Sequence, residues 1–212
     1  MITKLKGKDL KRKILVKILS EDLKMGDFQY ELGKNTDVNQ LSKANECAEG
    51  EGLHFCEAKD ILRYLNYGTK LAIVHVSDEE DVVCNEYYGH KYRSQVLHID
   101  KVMDLTDTKT WNWLIEHGAD IHAENDDALC WAVENGHLNV VKCLVEHGAN
   151  IHTRNDYVLR HAADRGYLNV VKYLVEHGAN IHTRNDIALR WAAKNGHLDV
   201  VKYLVEHGGE NK

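Results

Sequence analysis

Four residues in the first half of the chain have side chains that bind metals or attack electrophiles: Cys47, His54, Cys56 and Cys84. Known zinc modules present thiolates and imidazoles from paired loops. The C-x6-H-x-C spacing of Cys47, His54 and Cys56 has no such pairing and reads as isolated thiols with a lone histidine. Cys130 and Cys143 bring the cysteines to five, an odd number without a CxxC pair, which is the pattern of free thiols in a reducing compartment. Histidine forms two ladders, His117, His147, His177 and His207, then His122, His152 and His182, each recurring every 30 residues. Duplication accounts for that regularity, and hydrogen bonding at helix ends and links accounts for the imidazoles without a metal. The chain has no phosphate-binding glycine loop, no G-x-S-x-G elbow and no H-E-x-x-H pair. No catalytic residue, cofactor or metal site is expected, and the protein is not read as an enzyme.

The elements that carry the ladders are helical. In residues 150–179, Asn155 or Asp156 is placed to cap a helix that buries Val158, Leu159, Ala162 and Ala163. Gly166 ends it, and a second helix over 168–177 buries a stripe of Val170, Val171, Leu174 and Val175 before Gly178 stops it. His177 then sits where the carbonyl end of the helix favours positive charge. Such a unit is too small to bury its own core and must stack on its neighbours. Three whole units, 120–149, 150–179 and 180–209, follow a partial one at 106–119, where Trp111, Trp113, Leu114 and Ile115 hold the register of a second helix. About three and a half units lie near the minimum of ~3 for a stable stack. The last unit keeps Val200, Val201, Tyr203 and Leu204 without a polar capping version, so its outer face is expected to fray or stay exposed. A monomer is favoured, with a dimer through that uncapped repeat as the alternative.

These units resemble the ankyrin repeat. The resemblance rests on Asn195-Gly196-His197-Leu198, on the run Val200 to Val205 with His207-Gly208, on Leu189-Arg190-Trp191-Ala192-Ala193 for the first helix, and on Ala149-Asn150-Ile151-His152 for the link. It implies a helix–turn–helix solenoid that binds proteins. Ankyrin units usually run to about 33 residues, and the three missing here come from the link before the first helix. The family's threonine-proline at that point is replaced by Tyr157-Val158 and Ile187-Ala188, in a chain with no proline. The protruding finger of the family should therefore be pruned to a tight loop capped by Asn or Asp. Binding should shift to the concave, helix-lined face.

Residues 1–105 have a different rhythm and read as an α+β leader or capping domain, with 106–212 as an all-α solenoid. Strands are expected at 14–19, at 28–32 up to Gly33, after Gly50 and Gly52 at 53–55, at 71–76 and at 82–84. One long strand is expected over 92–105, leading into the first repeat helix, and a helix over 58–67 stopped by Gly68. Asp27-Phe28-Gln29-Tyr30, Gly52-Leu53-His54-Phe55, Leu65-Asn66-Tyr67-Gly68 and Lys91-Tyr92-Arg93 are similar to the leader found before ankyrin arrays in giant DNA viruses of the mimivirus type. That resemblance implies the cytoplasm of an infected host cell.

A net charge of −6 disfavours nucleic acid as the main partner. The basic exception, Lys4, Lys6, Lys8, Lys11, Arg12, Lys13, Lys17 and Lys24, reads as a solvated tail. No apolar run approaches the ~20 residues that cross a bilayer, so no membrane partner is expected and the protein is read as intracellular. A protein partner, from the host if the chain is viral, remains. The positions that vary between near-identical units are the ones free to recognise it: Glu134, Asn135, Tyr157, Arg160, Asp164, Arg165, Tyr167, Arg190, Lys194 and Asn195. Tyr and Arg are enriched among binding hot spots, which puts Tyr157, Arg160, Arg165 and Tyr167 first. The alternatives are an ADP-ribosyltransferase-like leader targeted by the repeats, suggested by Gly52-Leu53-His54-Phe55, or a ubiquitin-ligase substrate adaptor whose contact would fall to the leader.

Overall fold

The computed structural model describes residues 2–37, 52–85 and 91–208. They form two compact units, 1–120 and 121–212. The first unit is built on antiparallel strands: β1 (Ile2–Lys6), β2 (Leu15–Leu19), β3 (Lys24–Met25), β4 (Phe28–Gln29), β5 (Gly33–Thr36), β6 (Leu53–Glu57), β7 (Lys70–His75), β8 (Asp81–Asn85), β9 (Lys91–Ser94) and β10 (Val96–Asp104). Eight of them make one sheet in the order β1-β8-β9-β6-β2-β7-β10-β5, while β3 and β4 pair as a small hairpin. A 3₁₀ helix, Ala58–Tyr67, lays Ile61, Leu62 and Leu65 on the sheet. It stands where a helix was expected.

Three expectations for this half need correction. The basic N-terminal segment is not a solvated tail. Residues 2–6 pair along the length of β8, Lys6 reaches Asp81 at 2.9 Å, Lys11 reaches Asp78 at 2.6 Å, and Lys13 pairs with Glu57. Lys17 lies within β2 and is 3% exposed. The strand expected over 28–32 is only Phe28–Gln29, because Asn35 folds the chain back on itself by accepting from Glu31 N–H and donating to the carbonyls of Glu31 and Gly33. Gly33 begins a strand rather than ending one. The long strand over 92–105 breaks at Gln95, so that β9 pairs with β6 and β8 while β10 pairs with β5 and β7.

The first unit ends with α1 (Thr108–Glu116), capped by the Asp107 carboxylate on Lys109 N–H and anchored by Trp111, which is fully buried and donates to the Leu105 carbonyl at 2.7 Å. The second unit contains α2 (Ala123–Glu134), α3 (Leu138–Glu146), α4 (Thr153–Asp164), α5 (Leu168–Glu176), α6 (Thr183–Lys194) and α7 (Leu198–Glu206). Each pair buries most of the stripe expected of it, although Val175 and Val201 are only half-buried and Val205 is exposed. Val170, Val171 and Leu174 of α5 lie against Val158, Leu159, Ala162 and Ala163 of α4, and every one of these is at most 2% exposed. Burying side chains of this size is worth about 1.5–3 kcal/mol each. The first-helix layer, α2, α4 and α6, packs more closely than α3, α5 and α7, because Ala128, Ala132, Ala162, Ala163, Ala188 and Ala192 keep its interfaces thin. Unequal spacing curves such a stack toward the tighter layer. In the last unit α7 is intact, but Leu198 and Val205 are 75% and 48% exposed. Among the described residues no helix is long and apolar enough to cross a membrane.

Candidate functional site

Each first helix is entered through three successive residues with positive φ: Glu124-Asn125-Asp126, Arg154-Asn155-Asp156 and Arg184-Asn185-Asp186, all between 50° and 59°. L-residues avoid this left-handed region by about 1–2 kcal/mol each, Asn and Asp least. The turn is therefore held by something, and at the first two turns that something is a joint between units. Asp156 Oδ1 accepts from Asn180 N–H of the next unit at 3.0 Å and contacts His152 Nδ1 of its own at 2.8 Å, while Oδ2 accepts from the Thr183 hydroxyl at 2.8 Å. Asp126 repeats the pattern with Asn150 N–H and His122, and there Thr153 donates instead to the Asn125 carbonyl at 2.7 Å. The link is the tight turn expected, but its chemistry is not. Neither Asn155 nor Asp156 caps its own helix, since a residue at φ near +50° is not in the extended geometry of an N-cap.

One histidine ladder belongs to this joint and the other to helix ends. The Nδ1 atoms of His117, His147, His177 and His207 lie 2.6–2.8 Å from the carbonyl four residues back. His177 and His207 also pack on the rings of Tyr173 and Tyr203, with centroids 3.9 and 4.0 Å apart. The lysine of one unit lies over the tyrosine of the next, Lys142 on Tyr173 and Lys172 on Tyr203. Among the described residues no three His, Cys, Asp or Glu side chains are grouped to hold a metal, and Cys47 lies outside those residues. Cys56, Cys84, Cys130 and Cys143 are all buried. Burial pushes the Cys130 thiol up to about 11, which leaves it protonated and inert at neutral pH.

The ten candidate partner-binding residues do not form one class. Arg160 is 6% exposed; its guanidinium donates to the carbonyls of Arg154 and Asn155 and lies over the rings of Tyr157 and Trp191. The variation Cys130, Arg160, Arg190 thus follows packing rather than freedom from it. Tyr157 donates to Glu134 at 2.8 Å, and burial with that carboxylate beside it pushes the phenol up to about 12. Half-buried Tyr167 packs face-on to Gly136, where a Cβ would stand 3.0 Å from the ring; His197 closes on Gly166 in the same way. Asp164 receives Asn195 Nδ2 at 2.7 Å and joins the same two units. Asn135, Arg165, Arg190, Lys194 and Asn195 are exposed; Arg190 lies within α6, and the other four stand at the helix ends and following turns of the first-helix layer. Among the described residues Arg165 and Lys194 have no side-chain partner within the chain. Arg160→Ala should lower stability by about 2–3 kcal/mol, through two carbonyls left unpaired and a lost stack, whereas Arg190→Ala should stay within about 0.5 kcal/mol. Urea unfolding of the two variants measures the difference, and equal midpoints would contradict the buried role.

Sequence reasoning missed Asp126 and Asp186 and gave Asp156 only a local role as a cap. Their signal was invariance: the Asn-Asp pair recurs at one offset in all three units while the residue after it changes each time, Asp127, Tyr157 and Ile187.

Comparison with known proteins agrees with this architecture. A model described as Ankyrin repeats (3 copies) matches residues 102–155 and 152–212, and a model of a domain of unknown function matches residues 13–111. The chain is 36% identical over 133 residues to "Putative ankyrin repeat protein R896" of Acanthamoeba polyphaga mimivirus, covering 61% of this chain and 40% of that relative. "Uncharacterized protein R869" of the same virus is 34% identical over 134 residues, 61% of this chain and 95% of the relative. A third mimivirus protein, "Putative ankyrin repeat protein R868", is 30% identical over 141 residues, 65% of this chain and 69% of its own length. With helix pairs in 30-residue register, glycine-stopped second helices and a family model covering half its length, the chain belongs to the ankyrin-repeat family.

Proposed function

We propose that the array holds a protein of the infected host cell through the exposed ends of its first-helix layer, centred on Arg165 and Lys194. An ankyrin array is a protein-interaction scaffold. The observation that carries the reading is the pair of exposed cations, on consecutive units at neighbouring positions of the repeat, that have no side-chain partner among the described residues. Long cationic side chains with no internal use are available for charge-assisted hydrogen bonds to a partner. Asn135, Arg190 and Asn195 flank them, and Glu134 and Asp164 supply an acidic margin toward the preceding units. A partner face carrying carboxylates opposite units two and three would be complementary.

The test is capture of partners by the full chain from lysate of infected amoebae, quantified by mass spectrometry. The double variant Arg165→Ala with Lys194→Ala should deplete the specific partner about tenfold, as expected for loss of two charge-assisted contacts. Its melting temperature should be unchanged, because neither side chain is buried. A partner recovered equally by both proteins would mean that binding lies elsewhere on the molecule.

A further inference from the structure

Asparagine precedes glycine at Asn135-Gly136 and Asn195-Gly196, the same offset of the units at 120–149 and 180–209, and both pairs run on into His-Leu. In such a pair the glycine backbone nitrogen can attack the side-chain amide carbon, because no Cβ on the glycine obstructs ring closure. The nitrogen gives up its proton, a bond forms from it to Asn Cγ, and the bond from Cγ to the side-chain nitrogen breaks. That nitrogen leaves as ammonia, and a five-membered succinimide remains. Water then opens the ring at either carbonyl, giving aspartate or isoaspartate. One water enters and one ammonia leaves, with no change of oxidation state.

The two pairs occupy equivalent turns but are not equally free to close. Gly136 is half-buried beneath the Tyr167 ring of the following unit, and its N–H donates at 3.0 Å to the carbonyl of fully buried Val133. Asn135 Nδ2 is held on the Trp131 carbonyl at 2.8 Å. Bringing the Gly136 nitrogen to Asn135 Cγ therefore means opening a turn with the next unit packed on it. Gly196 is exposed, a Cβ there would meet nothing within 4 Å, and its N–H donates at 3.2 Å to the carbonyl of exposed Ala193. Asn195 is exposed too, and its Nδ2 donates to Asp164 Oδ1 at 2.7 Å and to the Asp164 carbonyl at 3.0 Å. Solvent-exposed hydrogen bonds at the end of an element open at the lowest cost.

We propose that Asn195 is a site of spontaneous deamidation to aspartate and isoaspartate, and that the unit stacked on Gly136 protects Asn135. The product acts on the joint between the second and third units. Asn195 donates twice to Asp164, whereas an ionised acid offers acceptors alone and sets a second carboxylate against the first. Isoaspartate also adds a methylene to the main chain just before His197, whose ring closes on Gly166 and whose Nε2 stands 2.9 Å from the Asp164 carbonyl. The third unit thus loses its hold on the second at a rate set by the opening of one turn.

Ageing the full chain in neutral buffer, with digestion, mass mapping and isoaspartyl methyltransferase labelling, tests this. Residue 195 should become acidic about tenfold or more faster than residue 135. In urea the difference should disappear, because the unfolded chain offers the same Asn-Gly-His-Leu at both places. Asn195→Gln should stop the conversion at that position, since closure would then need a six-membered ring. Asn195→Asp, which fixes one product, should speed hydrogen exchange of the α7 amides by about tenfold. Equal native rates at the two positions would overturn the assignment. So would an Asn195 that stays an amide while the urea-unfolded chain converts, or a native difference that persists undiminished in urea. Unchanged α7 exchange in Asn195→Asp would overturn the effect on the joint.

Discussion

Asp156→Ala is expected to destabilise the repeat array by about 3–4 kcal/mol, because one buried carboxylate serves the backbone amide of Asn180, the hydroxyl of Thr183 and the imidazole of His152. Hydrogen bonds to a charged acceptor contribute about 1.5–3 kcal/mol each but are not additive, and donors left buried without a partner add their own cost. Alanine would also have to hold φ near +50°, a conformation that aspartate tolerates better. At about 4–8 °C per kcal/mol for a unit of this size, the melting transition of the array should fall by at least ~12 °C. Asp186→Ala provides the internal comparison. Among the described residues its carboxylate meets only His182, so its loss should cost about 1 kcal/mol. Thermal and urea unfolding followed by circular dichroism would separate the two variants, and similar midpoints would show that the joint between units contributes little.

Gly68→Ala should be at least as damaging, for a different reason. Gly68 carries the chain from the 3₁₀ helix Ala58–Tyr67 toward β7, and it passes so close to β2 that a Cβ would stand 2.0 Å from the Leu19 carbonyl oxygen and 2.6 Å from the Ser20 nitrogen. Both obstacles are backbone, so no side chain can turn aside. Relief would require pulling the end of β2 away and breaking the Leu19–Lys70 pairing beside the fully buried Leu19 and Leu71. The expected cost exceeds ~4 kcal/mol, which places the variant among the exceptional single substitutions. Gly118→Ala is the contrast. Its φ is +86°, but a Cβ there meets nothing within 4 Å, so it should cost only the backbone strain of about 1 kcal/mol. If Gly68→Ala unfolds within a few degrees of the parent protein, the close approach is not as drawn.

Local patterns were legible in the sequence and non-local ones were not. The second helices, their valine stripes and the glycines that end them follow from positions three and four apart on one strand of chain. The alanine-lined first helices were legible for the same reason. Asp156 was assigned to its own helix because a cap is a local idea, whereas its true partners lie 24 and 27 residues on. Arg160 looked free because it changes between units, yet its burial depends on Trp191 in the next unit. The basic start of the chain looked solvated because its acids, Asp78, Asp81 and Glu57, are far away in sequence. The break between β9 and β10 likewise depends on partner strands that alternation cannot reveal. Of the candidate interaction residues, sequence variation found the exposed ones and admitted the packed ones with them, since drift and compensation leave the same trace.

The aspartate joint has an evolutionary consequence. The units at 120–149 and 150–179 each present an aspartate acceptor at their own turn, and the units at 150–179 and 180–209 each bring an asparagine N–H and a threonine hydroxyl to the turn before them. A copy of residues 150–179 inserted beside its parent would find its Asn and Thr donors met by the older aspartate, and would offer an identical aspartate to its successor. Gene-level duplication in steps of one unit is therefore structurally silent. A lineage can lengthen or shorten the array first and diversify the side chains on its face afterwards, so the number of units and what they recognise can evolve independently.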